Sequence, residues 1–216
     1  MNQVTFQWID PCPNARLRAA QQTLADSVRS FGLEPLLFPA GRDMVKFADI
    51  LRLARKESRG THFVWCNSDV ILTKNPYDFA DDSQVHGFPR TERPSGEVCC
   101  GIDMYLIPNR VWDDYLSKDV PDLYCGGATI DWWITRACQK AGIYQFHEGC
   151  IDHVTHPRSA ASGGGDAYYR HNIRAYNAWA RRNNVGTLDE YIRLPLLGAW
   201  NNSLRGWINH LKDKSR

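Results

Sequence analysis

Residues 61–72 read THFVWCNSDVIL, and the order of residue types within them decides the fold. His62-Phe63-Val64-Trp65 is a short apolar run of the kind found in a strand covered on both faces. Asn67-Ser68-Asp69 breaks it, and Val70-Ile71-Leu72 resumes it. A strand that leaves a core and ends in Asn67-x-Asp69 sets an amide and a carboxylate at its carboxyl end. Open α/β sheets bind ligands there, and hard cations and diphosphates find oxygen ligands there. Asp69 in so apolar a setting is costly to bury alone. A plain turn, with Asn67 and Asp69 making Asx hydrogen bonds, explains the same residues equally well.

The segments before this stretch alternate. QVTFQWI, Gln3–Ile9, reads as a buried first strand ending at Asp10-Pro11. Residues 14–31 carry Leu17, Ala20, Leu24 and Val28 at helical spacing, with Asn14 as N-cap and Gly32 as C-cap. A second strand follows at 33–38, then Pro39-Ala40-Gly41 as a turn, then an amphipathic helix over 43–58. Further strands are expected at 84–88, 98–107 and 142–146, and helices at 110–116, 129–141 and 168–183. This β-α-β-α order predicts an α/β fold of Rossmann-like type, a mixed and mostly parallel sheet flanked by helices with a helical C-terminal extension.

Composition excludes several alternatives. With 43% hydrophobic and 23% charged residues in 216, the chain is neither disordered nor collagen-like nor a coiled coil. No apolar run approaches the ~18 residues of a bilayer span, and MNQVTFQWIDP lacks the plan of a signal peptide, so the cytoplasm is the expected address. The seven cysteines are odd in number and include no C-x-x-C pair, which argues against a disulfide framework. Cys150, His153 and His156 have tolerable zinc spacing but lack the paired ligand clusters of a structural site. Residues 1–156 hold 16 Lys/Arg against 20 Asp/Glu, a balance of −4, whereas residues 157–216 hold 10 against 4, a balance of +6. A basic tail suits a phosphate-bearing acceptor or a polyanion, and equally a solvated helical face.

Four short motifs lie in one order: Asn67-Ser68-Asp69, then Gly126-Gly127, then Asp131 in ATIDWWITRACQKAG, then His153 or His156 in IDHVTHP. In this series the chain resembles the nucleotide-sugar-dependent glycosyltransferases of the GT-A fold, over roughly residues 3–156. The resemblance implies a core domain over 1–156 that binds the nucleotide sugar, with 157–216 as a glycine-rich hinge or lid and basic helical extension of the same unit. It implies a Mn²⁺ or Mg²⁺ ion held by Asp69 with His153 or His156, and a donor, UDP-linked by expectation, transferred to an acceptor hydroxyl. It also implies that Trp8 and Asp10, at the end of the first strand, grip the nucleotide. The chain departs from the family's D-x-D motif at Asn67, which offers one neutral oxygen where an acid is usual.

The residues support these roles on their own chemistry. A divalent cation between two phosphates neutralises the charge that develops as a glycosidic bond breaks. Gly126 and Gly127 let backbone approach a sugar with no Cβ in the way, although a turn before a helix explains them too. Asp131 beside Trp132 and Trp133 is a carboxylate whose pKa apolar neighbours would raise, which suits a general base; the helix macrodipole accounts for the same position. Asp103 is an acid in the strand expected at 98–107, where alternation puts Ile102, Met104 and Leu106 on one face. It can bind a sugar hydroxyl, or pair with Arg90 or Arg110 as a structural bridge. Asn67, Ser68, Arg90 and Asp103 are therefore counted with the donor site.

The acceptor is expected to be phosphate-bearing: a lipid-linked sugar, a modified nucleic acid or a polymer. Trp200, Leu204, Trp207, Ile208 and Leu211 recur at helical spacing and predict a helix that packs back on the core or touches a membrane surface. Two other readings stand beside the transferase. One is a different nucleotide-dependent α/β transferase, which would want a basic glycine-rich loop after the first strand where DPCPNARLRAA stands. The other is a non-catalytic module in which the basic C-terminal region grips nucleic acid.

Overall fold

The structure is a computed structural model, described over residues 2–9, 12, 15–40, 45–125, 129–154 and 165–188. Strand β1 (Gln3–Ile9) leads into helix α1 (Ala15–Ser30), strand β2 (Glu34–Ala40), helix α2 (Phe47–Glu57) and strand β3 (His62–Cys66). Strands β4 (Val70–Leu72), β5 (Val85–Arg93) and β6 (Val98–Pro108) follow, then helices α3 (Asn109–Asp114) and α4 (Ile130–Lys140). Strands β7 (Tyr144–Phe146) and β8 (Ile151–Val154) and helix α5 (Gly165–Arg182) complete the described chain. The strands form one mixed sheet in the order β2-β1-β3-β6-β5-β8-β4, with β7 also paired to β5.

Alternation along β3 builds two cores. Phe63 and Trp65 face a large aromatic cluster with α2, α3, α4 and α5, while Val64 and Cys66 face a second cluster under α1. In the first, Phe47 meets Trp65 edge-on with ring centroids 4.7 Å apart, and Trp65 stacks on Tyr105 at 6.2 Å. Each such buried aromatic side chain contributes about 1.5–3 kcal/mol through removal from water. Helix α1 buries Leu17, Ala20, Leu24 and Val28 as its spacing predicts, and it stops at Gly32, whose φ of 69° is open to glycine at no steric cost.

Several boundaries differ from expectation, each for a local reason. Pro39 and Ala40 belong to β2 rather than to a turn, because β2 is an edge strand where a missing N–H on the outer side is harmless. Helix α2 begins at Phe47 and not at residue 43: the Phe47 amide donates to the Leu123 carbonyl at 2.8 Å and the Cys125 amide to that of Val45 at 2.9 Å. Those long-range bonds hold residues 45 and 46 out of the helix. Strand β5 runs through Pro89 to Arg93, past the expected stop at residue 88, because the ladder shifts register there. Phe88 pairs with Met104 but Pro89 pairs with Ile102, so Asp103 is the additional residue of a bulge in β6. That bulge turns Ile102 into the aromatic core with Tyr105 and Ile107, off the face that holds Met104 and Leu106, which corrects the simple alternation.

Helix α5 opens at Gly165, so Gly165 and Asp166 are helical and not part of a linker. Tyr176, Trp179 and Ala180 of α5 are buried in the aromatic core. The rest of the expected hinge, residues 157–164, lies outside the described residues, as does the part of the basic extension from 189 onward with its tryptophan-bearing segment. Among the described residues no helix is long and apolar enough to cross a membrane.

Candidate active site

The chain leaves β3 at Cys66, turns through Asn67-Ser68-Asp69 and returns as β4, which pairs with β8 rather than with β3. In that pairing Val70 faces His153, and on the other side of β8 His153 faces Glu92 of β5. Three segments far apart in sequence thus present Asp69, His153 and Glu92 at neighbouring positions. His153 Nδ1 lies 2.7 Å from Glu92 Oε2, and its Nε2 lies 3.4 Å from Asp69 Oδ2.

The network continues beyond the imidazole. Arg90 Nε donates to Glu92 Oε1 at 2.7 Å, and Arg90 Nη1 donates to both oxygens of Asp103 at 3.1 and 3.3 Å. Asn67 closes the ring: its side-chain amide donates to Asp103 Oδ1 and its backbone N–H to the Asp103 carbonyl. The bulge supplies Asp103 and the strand continued past Pro89 supplies Arg90 and Glu92. Neither feature is visible in a two-residue period. Asp103 and His153 are buried, and pairing is what makes these charges tolerable there.

The charges perturb one another. Burial pulls the His153 imidazolium down, but hydrogen bonds to Asp69 and Glu92 outweigh it, and the ring is raised above its ordinary value. For Glu92 burial acts upward, and the bonds from His153 and Arg90 overcome it and hold the carboxylate below the usual range. Asn67, where an acid is usual, has a physical reason: a carboxylate there would meet Asp103 head on, whereas the amide donates to it.

Asp131 sits in the first turn of α4, against the same bulge. Burial raises its carboxyl to about 7, and the neighbouring Asp103 adds to the rise; N–H groups of Ile102, Trp132 and Asp131 itself act the other way. Gly101 lies beside the carboxylate: a Cβ there would stand 3.5 Å from Asp131 Oδ2, an ordinary van der Waals contact. Tyr105 Oη donates to the Asp131 carbonyl at 2.8 Å and so ties the turn to β6. The site pairs a corner of carboxylates and imidazole, suited to a cation, with a second carboxyl that burial raises to about 7.

The remaining expected residues divide. Ser68 lies in the turn beside Asn67, and Trp8 lies half-buried in β1 against the α1 core, outside the charged ring. Asp10, Gly126, Gly127 and His156 lie outside the described residues. Asp103 pairs with Arg90, the structural bridge of the two options. Among the described residues no group of three or more His, Cys, Asp or Glu side chains is arranged to hold a metal ion by itself. Cys150 is buried with its thiol directed at the Glu148 carbonyl, so it does not join His153 in a zinc site. Glu92 is the residue that sequence reasoning missed. Its signal is its spacing of two from Arg90, hidden by the proline at 89.

No protein-family model matches the chain, and no curated protein does. Solved structures do. The catalytic domain of Drosophila β1,4-galactosyltransferase 7 with xylobiose superposes with a TM-score of 0.50 at 10% identity, covering 73% of this chain and 72% of that one. A mutant of the same enzyme in complex with manganese, UDP-Gal and xylobiose gives 0.51 at 9% identity, covering 75% of each chain. S. aureus TarS 1–349 in complex with UDP-GlcNAc gives 0.50 at 10% identity, covering 91% of this chain and 77% of that one. The fold of this chain is that of GT-A-type glycosyltransferases.

Proposed function

We propose that the chain is a glycosyltransferase that moves a sugar from a nucleoside diphosphate sugar, with UDP as the expected carrier, to an acceptor hydroxyl. One observation carries the reading. Asp131, whose carboxyl burial raises to about 7, lies against the same β6 bulge as the Asn67-Asp103-Arg90-Glu92-His153-Asp69 ring, and in this reading it would act as proton acceptor beside the donor diphosphate. The ligands of the fold's neighbours, UDP-Gal with manganese and UDP-GlcNAc, support the same donor class.

A divalent cation fits the corner by donor chemistry. The Asp69 carboxylate and the His153 Nε2 face one another, an oxygen and nitrogen pair that suits Mn²⁺, and phosphate oxygens of the donor would fill the rest of its shell. Glu92 on Nδ1 would fix the tautomer that leaves Nε2 free to ligate. Such a cation supplies charge neutralisation on the departing diphosphate. Arg90 brings fixed positive charge to the same corner.

Asp131 takes the proton of the acceptor hydroxyl as that oxygen bonds the anomeric carbon. The bond from the anomeric carbon to the diphosphate breaks, and the nucleoside diphosphate leaves with the electron pair. Direct displacement of this kind inverts the anomeric centre. A carboxyl with a pKa of about 7 is matched to such work at neutral pH. Domain roles follow: residues 1–156 carry the donor site, and α5 from the C-terminal part braces it.

Calorimetric titration of the protein with UDP and GDP, with and without Mn²⁺, tests the proposal. Manganese-dependent binding of UDP, lost in Asp69→Ala and His153→Ala, is the expected result. Absence of binding to either diphosphate overturns it.

A further inference from the structure

Asn172, in the middle of α5, is fully buried. Its Oδ1 accepts from the Tyr124 amide at 2.8 Å and its Nδ2 donates to the Tyr124 carbonyl at 2.8 Å, so one side chain pairs both backbone groups of a residue in a distant segment. Its own carbonyl accepts from Thr129 Oγ1 at 3.4 Å. Asn172 therefore grips the chain on both sides of the approach to α4. A buried amide that satisfies a backbone in this way fixes its position as a neighbouring strand would.

Thr129 is the second observation. It has a φ of 82°, in the left-handed region that a β-branched residue avoids, and it is buried. Such a conformation persists only where the surroundings over-determine it. The Thr129 carbonyl accepts from the Trp133 amide at 3.0 Å and so starts α4, with Asp131 two residues on. The first turn of α4 is held from the sheet side by Tyr105 and from the helix side by Asn172.

We infer that α5 positions Asp131 from Asn172, whose side-chain amide fixes Tyr124 and whose main-chain carbonyl, through the Thr129 hydroxyl, fixes the start of α4. The inference rests on the reading of Asp131 as the base, and it gives α5 a part in the site that its distance in sequence conceals. Asn172 touches none of Asp69, Glu92 and His153 in the bonds above, so binding of metal and diphosphate at that corner is separable from its effect. Displacement of a catalytic group by about 1 Å costs on the order of 100-fold in rate.

The test follows the Asp131 carboxyl directly, by carbon-13 NMR titration of the full chain in wild type and in Asn172→Ala, Thr129→Val and Thr129→Ser. Asn172→Ala removes the grip on Tyr124 and keeps the main-chain carbonyl, whereas Thr129→Val keeps the shape and removes the hydroxyl bond to that carbonyl, so Thr129→Val decides the matter if Asn172→Ala fails to fold. Release of the turn admits water to the carboxylate. The Asp131 midpoint is expected to fall by a pH unit or more in Asn172→Ala and Thr129→Val and to stay in place in Thr129→Ser, with UDP and Mn²⁺ binding unchanged. Wild-type titration of Asp131 in both Asn172→Ala and Thr129→Val, with only the melting temperature lowered, overturns the inference. Full turnover by Asp131→Asn overturns the base reading and leaves the titration result standing, so the two failures are distinct.

Discussion

Replacing the proposed base should make the protein more stable at neutral pH. In the folded chain burial lifts Asp131 from 3.8 to about 7. Between those values the folded state holds the proton more tightly than the unfolded chain does, so stability falls as pH rises through the window. Asp131→Asn keeps an oxygen to accept the N–H groups of Ile102 and Trp132 and has no charge to desolvate. At about 1.4 kcal/mol per pKa unit, a shift of about three units corresponds to roughly 4 kcal/mol. Asp131 is part-exposed, and solvent screening roughly halves the figure, to about 2 kcal/mol. Urea unfolding of both proteins at pH 4 and pH 8 reads the difference of differences, in which the effect of the amide itself cancels. The variant should gain about 2 kcal/mol on wild type between the two pH values. Parallel pH profiles for the two proteins would refute the argument that burial drives the shift.

Three further outcomes follow from the contacts. Glu92→Gln should weaken Mn²⁺ binding about 10- to 100-fold in calorimetric titration, the usual cost of losing an outer partner of a ligating histidine; unchanged affinity would remove Glu92 from the site. Asn67→Asp restores the acid of a D-x-D motif but sets it against Asp103, so its melting temperature should drop more at pH 8 than at pH 4. Equal or higher stability at pH 8 would contradict that clash. Gly87→Ala places a Cβ 2.1 Å from Tyr144 Oη, and overpacking of this kind should cost about 1–3 kcal/mol in urea unfolding.

The fold was legible where periodicity was clean. The β1-α1-β2-α2-β3 order follows from apolar runs and helical spacing, and the turn at Asn67-Ser68-Asp69 from its polar break in an apolar stretch. The resemblance set Asp69 with His153 or His156 and left the choice open; the β4 to β8 pairing, which nothing local to these residues announces, is what brings His153 to Asp69. What stayed hidden depends on non-local pairing. A proline normally ends a strand, yet the register shift at Pro89 lets β5 continue and deliver Glu92. A bulge leaves no mark in a single strand's sequence, so the place of Asp103 beside Arg90 and Asp131 was open to two readings. Asn172 could not be found at all from its helix, because its partners are backbone atoms of Tyr124 and a hydroxyl of Thr129.

The most direct measurement is release of UDP from UDP-Gal and UDP-GlcNAc by wild-type protein and by Asp131→Asn, with Mn²⁺ and with a chelator. The account predicts Mn²⁺-dependent UDP release from at least one donor by wild type, with water or a supplied sugar as acceptor, and a loss of about 100-fold or more in Asp131→Asn. No release from either donor, or release undiminished in Asp131→Asn, would contradict it.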